Sequence, residues 1–181
     1  MLLSKGNADL FFKLHPALLQ YVNQRLQIFP KVRTAKALRV SGVKNVAKVR
    51  EELWKRPEFI DEFVAGNPDG FSEEECAIVA SWKRAVQGEF YLFRHLTKYS
   101  VFLTKEEPTK AYGVCSLTTP LCEMFWNVPV YMKATLLPFQ DMIIYDGILY
   151  PYSITFGPGF RRNLNEVYRE AKRNFGIIEA M

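Results

Sequence analysis

Apolar positions in the first half of the chain recur at spacings of three and four. Phe11, Leu14, Leu18, Val22, Leu26 and Phe29 make one such stripe, which predicts an amphipathic helix from about Asp9 to Phe29. Asp9 fits its cap, Pro16 marks a kink or a start, and Pro30 ends it. Lys31 to Val40 is basic and less periodic. After Ser41-Gly42 the stripe resumes with Val43, Val46, Val49, Leu53 and Trp54, while Lys44, Lys48, Arg50 and Lys55 fall on the other side. Pro57 opens a third, short helix carrying Phe59, Ile60, Phe63 and Val64. Gly66-Asn67-Pro68-Asp69-Gly70 is a break. Ser72 with Glu75 then reads as a capping box for a helix bearing Cys76, Val79, Trp82 and Val86, stopped by Gly88.

Beyond Gly88 the period falls to two. Glu89–Leu96, Tyr99–Thr104 and Ala111–Leu117 read as strands rich in aromatic and β-branched residues. Leu121 to Trp126 fits one helical turn. Pro129–Leu137, ended by Pro138, and Met142–Tyr145 are two further strands. Asp146-Gly147 signals a hairpin leading into a sixth, Ile148–Phe156. Gly157-Pro158-Gly159 turns into a closing helix with Leu164, Val167, Tyr168, Ala171 and Phe175 on one face, an Asn163–Glu166 cap and Gly176 at its end. Short connections between consecutive strands favour antiparallel pairing. The predicted class is α+β: a helical N-terminal half packed on a C-terminal antiparallel six-stranded sheet or small barrel, with a closing C-terminal helix. The expected division is a helical subdomain over 1–87 and a β subdomain over 88–181.

Composition supports a folded chain. Of 181 residues, 49% are hydrophobic and 14% aromatic, enough to build a core without disulfide or metal staples. The three cysteines, Cys76, Cys115 and Cys122, are odd in number and widely spaced, which argues against a secreted disulfide framework. The first residues lack the apolar core of a signal peptide, and no apolar run approaches the roughly 20 residues of a membrane span. The expected location is the cytoplasm, with no membrane partner.

The net charge is +5, and it is placed unevenly. Between Leu10 and Arg50 stand Lys13, Arg25, Lys31, Arg33, Lys36, Arg39, Lys44, Lys48 and Arg50, with no acid. Lys31, Arg33, Lys36, Arg39, Lys44 and Lys48 are the candidate contacts for nucleic acid or another polyanion; a solvated face is the plainer reading of the same run.

Several chemistries lack their residues. His15 and His95 have no Cys, Asp or Glu at ligand spacing, so no metal is implied, and no cofactor motif is present. Cys115 and His95 could meet as a thiol dyad if their strands paired, although cysteine mostly packs as a small hydrophobe. Asp141 and Asp146 flank one strand on opposite faces, and Asp146 beside Gly147 suits a turn. Phe90, Tyr91, Phe93, Tyr99 and Phe102, with Arg94 and Lys98 nearby, could form a stacking platform for single strands, or simply a sheet core. The most site-like segment is Phe156 to Asn163. Gly157 and Gly159 enter a helix N-terminus beside Arg161 and Arg162, where N–H groups and guanidinium donors favour an anion.

Leu136-Leu137-Pro138-Phe139, Ile143-Ile144-Tyr145-Asp146-Gly147 and Phe156-Gly157-Pro158-Gly159 together resemble a pattern found in uncharacterised bacterial cytosolic proteins with no assigned activity. The likeness spans about Val128 to Ile178. It implies a bacterial intracellular origin and a compact C-terminal β-module, and it carries over no catalytic or binding residue. Three readings stand beside one another: a non-enzymatic binding module with a basic surface, an enzyme acting on an anionic small molecule near the Gly157–Arg162 turn, and a protein-association domain. Neither catalytic residues nor the oligomeric state can be named from the sequence.

Overall fold

A computed structural model describes all 181 residues. The chain divides into two compact units, one of Lys5–Lys83 and one of Met1–Ser4 with Arg84–Met181.

The first unit is helical. Helix α1 (Lys5–Leu26) continues through Pro16, and its stripe of Phe11, Leu14, Leu18 and Val22 is almost fully buried. Helix α2 (Ala35–Val40) occupies a stretch whose weak periodicity predicts no helix. It is short, and a local device holds it: the Thr34 side chain accepts a hydrogen bond from the Ala37 amide at 3.1 Å. Helix α3 (Val43–Lys55) buries Val49, Leu53 and Trp54 as its spacing predicts. Gly42 precedes α3 at φ +105°, a conformation that a side chain would strain. Helix α4 (Glu58–Gly66) follows Pro57, and α5 (Glu73–Ser81) starts at the predicted capping box, with both Ser72–Glu75 bonds made. Trp82 lies in a short 3₁₀ turn and is fully buried, edge-on to Phe11.

The second unit is a mixed sheet. Strands β1 (Val86–His95), β2 (Ser100–Thr104) and β3 (Ala111–Cys115) form an antiparallel meander. A single-turn helix α6 (Leu121–Met124) leads to β4 (Val130–Phe139), which hairpins into β5 (Met142–Tyr145). Strand β6 (Tyr150–Pro151) pairs with β4, α7 (Pro158–Phe175) follows, and β7 (Ile177–Ile178) closes the chain. Strands β1 and β4 also pair, over seven residues, so the pairings run in a circuit β1-β2-β3-β5-β4 and back to β1. The β3–β5 seam of that circuit is parallel and only two pairs long. A second parallel contact joins β3 to β7. The expected α+β class holds, with a helical N-terminal half, a C-terminal sheet and a closing helix; the sheet is mixed and seven-stranded rather than wholly antiparallel and six-stranded, and it does not close into a proper small barrel.

Several boundaries differ for physical reasons. Gly88 does not stop α5; it lies inside β1, where β4 pairs with it. The hairpin turn is at Gln140-Asp141, with Gln140 at φ +55°, and not at Asp146-Gly147. After Asp146 the chain bulges through residues 147–149, and β6 resumes along the same edge of β4 that β5 occupies, because β1 holds the other edge. Pro138 does not end β4, which runs on to Phe139 opposite Met142. Helix α7 starts at Pro158 with Gly157 as its cap, so Asn163 and Glu166 lie within it.

Both faces of β2 are covered, which explains why Ser100 to Leu103 are buried without alternation. One face joins the interior of the circuit with Phe90, Leu92 and Phe102. The other packs under α7, where Phe93, Val101, Leu103 and Ala111 meet Leu164, Tyr168 and Ala171.

Candidate functional site

The six basic residues singled out in the sequence are all exposed. Their positions are set by polar anchors below them. Asn23, 1% exposed near the end of α1, accepts a hydrogen bond from the Phe29 amide and donates to the Phe29 and Val32 carbonyls. Gln20 donates to the Val32 carbonyl as well. These bonds fix the loop that carries Lys31 and Arg33, and the Thr34 cap then launches α2 with Lys36 and Arg39 on it. Lys44 and Lys48 follow on α3, with the Lys48 ammonium over the Phe29 ring at 5.6 Å. None of the six forms an ion pair. Glu52, the acid within reach on α3, is held by Lys55 and Arg56. The Val40 and Val43 side chains stand exposed at the turn between the two helices.

In the second unit the glycine turn does open a helix, α7, with Arg161 and Arg162 near its start. Gly157 caps α7 without a side-chain bond, and Gly159 sits in the first turn. Arg162 points to solvent. Arg161 is half-buried: its Nε donates to the Phe156 carbonyl at 3.3 Å and its Nη2 to Asn127 Oδ1 at 3.4 Å. Facing the same space is Arg94, whose guanidinium donates to Asn165 Oδ1 at 2.8 Å and lies over the rings of Phe93 and Tyr168 at 4.4 and 4.8 Å. The sequence marks Arg94 only as a basic neighbour of the aromatic strands. Strict alternation along β1 would send it inward after Phe90 and Leu92. A β-bulge between Leu92 and Arg94 inserts Phe93 as an extra residue and turns Arg94 to the α7 side. The two arginines line an open cleft of about 440 Å³ with Phe93, His95, Leu96, Val128, Pro129 and Asn165.

The thiol dyad does not form. The His95 Nε2 faces the Phe125 carbonyl at 2.9 Å, and its Nδ1 faces Ser100 Oγ at 2.8 Å. A carbonyl only accepts, so Nε2 carries a proton, and both ring nitrogens are engaged away from Cys115. Cys115 is buried and directs its Sγ to the Lys98 carbonyl, and burial pushes its thiol up from the ordinary value. Asp141 is exposed in the β4–β5 turn while Asp146 is 1% exposed, so the two carboxyls do not converge.

Of the aromatic strand residues, Phe90 and Phe102 are core, Phe93 lies under α7, and Tyr99 covers Gly113. Tyr91 belongs to a half-exposed row that the sequence did not indicate, because its members come from distant segments. Tyr152 stacks on Tyr131, Tyr131 lies tilted against Tyr91, and Tyr91 meets Phe156 and Phe160. Glu89 clasps one end of the row: its carboxylate accepts from Lys105, Tyr131 and Tyr152. Those bonds hold the Glu89 carboxyl down at about 2, with Lys105 the largest cause. A carboxylate held so low carries no proton at neutral pH, so Glu89 fits a structural clasp and not a general acid. No group of three or more His, Cys, Asp or Glu side chains is placed to hold a metal ion. No helix is long and apolar enough to cross a membrane.

Comparison with known proteins returns no matching family model, no matching curated protein and no matching solved structure, so no role is carried to any of these residues from a relative.

Proposed function

We propose that the protein is a nucleic-acid-binding module whose contact surface is Lys31, Arg33, Lys36, Arg39, Lys44 and Lys48. The observation that carries this reading is the exposure of six cations on one continuous stretch, none of them ion-paired. Unpaired surface cations on a fixed scaffold attract phosphates and release their counterions on contact. Gly42 contributes too. It gives α3 no side-chain cap; the Asn45 and Val46 amides donate to the Gly42 carbonyl, which leaves the Val43 and Lys44 amides to an outside acceptor. In the cytoplasm, the compartment that the cysteine usage points to, nucleic acid is the abundant polyanion.

The test is fluorescence anisotropy with single- and double-stranded oligonucleotides across a salt series. Affinity for duplex should fall steeply with salt. The variant Arg33→Ala/Lys36→Ala/Arg39→Ala should weaken binding and flatten the slope of log K against log salt by about 2 to 3, since each phosphate contact contributes roughly 0.9. Absence of binding at low salt, or a variant that binds as the parent does, would refute the reading. The exposed Val40 and Val43 at the α2–α3 turn favour a second reading, protein association. Sedimentation of the Val40→Ser/Val43→Ser variant against the parent checks it.

A further inference from the structure

The cleft between the end of β1, residues 128–129 and the first turns of α7 is built from parts that have no use for one another. Arg94 and Arg161 are both half-buried, and both are held only by neutral acceptors: Asn165 for Arg94, Asn127 and the Phe156 carbonyl for Arg161. Neither has a carboxylate within salt-bridge distance, and none of the eight lining residues is acidic. Asn165 ties the two arginines together, because it accepts from Arg94 through Oδ1 and donates to the Arg161 carbonyl at 3.0 Å through Nδ2. Arg94 is further fixed by the rings of Phe93 and Tyr168 on which it lies. Two positive charges are thus oriented in advance and left unneutralised.

We propose that this cleft is a binding site for a phosphate group, with Arg94 and Arg161 as its two ligating side chains. Phosphate fits better than a monocarboxylate, because two guanidinium forks match the charge and the three or four oxygens of one phosphate. Phe93, Leu96, Val128 and Pro129 supply an apolar wall for the organic part that the phosphate carries. The bulge at Phe93 is the device that delivers Arg94, in keeping with the frequency of bulges where a side chain must be re-aimed. The site lies in the unit of Arg84–Met181 and does not depend on the basic helical surface of the other unit.

The site is tested on the full chain by NMR, following the arginine Nε–Hε signals while inorganic pyrophosphate, AMP or a short single-stranded oligonucleotide is added. Saturable shifts of the Arg94 and Arg161 signals, with Arg162 unmoved, are expected. Arg161→Gln should weaken pyrophosphate binding by about tenfold or more, the effect of losing a charge-assisted pair. Arg94→Lys, which keeps the charge and loses the fork, should weaken it less. Arg162→Gln should leave it unchanged. Binding of AMP as tightly as of the oligonucleotide assigns the phosphate to a free nucleotide or similar monoester; binding of the oligonucleotide alone assigns it to a strand. No saturable shift at millimolar pyrophosphate overturns the proposal, as does an even drift of all the exposed arginines. The Arg33→Ala/Lys36→Ala/Arg39→Ala variant should keep the site intact, so this experiment can fail while the reading of the helical surface stands, and the reverse.

Discussion

Gly113 on β3 offers a sharp test of how the sheet is packed. A Cβ placed there would lie 2.8 Å from Tyr99 Cγ and 2.9 and 3.0 Å from its two Cδ atoms. To restore an ordinary contact the ring would have to retreat by about 0.6 Å, because carbon contacts closer than about 3.4 Å are rare. The atoms struck are at the root of the side chain, so rotating its tip gives no relief. The tip is tied as well, since the Tyr99 hydroxyl donates to Glu179 Oε1 at 2.9 Å. Overpacking of this kind costs about 1–3 kcal/mol, and the usual gain of alanine over glycine within a strand returns about 0.5–1 kcal/mol. Gly113→Ala should therefore destabilise the protein by about 1–2 kcal/mol in urea unfolding. In a Tyr99→Ala background the clash is gone, and the same substitution should be neutral or mildly stabilising. The double-mutant cycle should show a coupling of about 1 kcal/mol or more. A single variant within about 0.5 kcal/mol of the parent, or a cycle with no coupling, would refute the packing argument.

Two further predictions concern titrating groups. The Glu89 carboxyl is held at about 2, below its unfolded value of roughly 4.3. A folded value below the unfolded one means that its contribution is complete above pH 4.3 and is lost as the pH falls through 2. Ring signals of Tyr131 and Tyr152 should hold until pH 4 and change below it, and Glu89→Gln should remove that step; a change centred at the ordinary carboxylate value would contradict the clasp. Of the three cysteines, Cys122 is exposed and Cys115 buried with its thiol pushed up. An aromatic disulfide reagent at neutral pH should modify Cys122 first and Cys115 only on unfolding, and peptide mapping that finds Cys115 labelled in the native protein would contradict its placement.

The helical unit was largely legible because its determinants are local. The Ser72–Glu75 box, the Pro57 start and the stripes of α1 and α3 each rest on residues a turn or two apart. Helix α2 was not legible from periodicity, since six residues are too few to show a period, and Thr34 was the one signal available. Sheet partners were harder to read. That Asp146-Gly147 is a bulge after which the chain stays on β4, and that β3 takes parallel neighbours, follows from long-range packing that no local pattern records. Among the candidate residues, Arg161 was found from the glycine-to-helix turn, but its partner Arg94 was hidden by alternation, which a one-residue bulge reverses. Likewise the tyrosine row unites β1, β4 and the segment after β6, and no spacing in the sequence links them.

The first and last residues of the chain are stitched to one strand or its immediate extension. The Leu3 amide donates to the Ser116 carbonyl and the Ser116 amide to the Met1 carbonyl, both at 2.9 Å, while Ile177 and Ile178 pair with Ala111 and Tyr112. The helical unit is therefore an insertion within the β unit, between Ser4 and Arg84. During ribosomal synthesis Lys5–Lys83 emerges as one continuous block that can settle on its own contacts. Met1 to Leu3, made before that block, must wait for Ser116 before they gain a partner, and β7 follows the other strands. Birth order and assembly order thus run in opposite senses for Met1 to Leu3, and the β unit reaches its full complement of strands only once Ile177 and Ile178 have emerged.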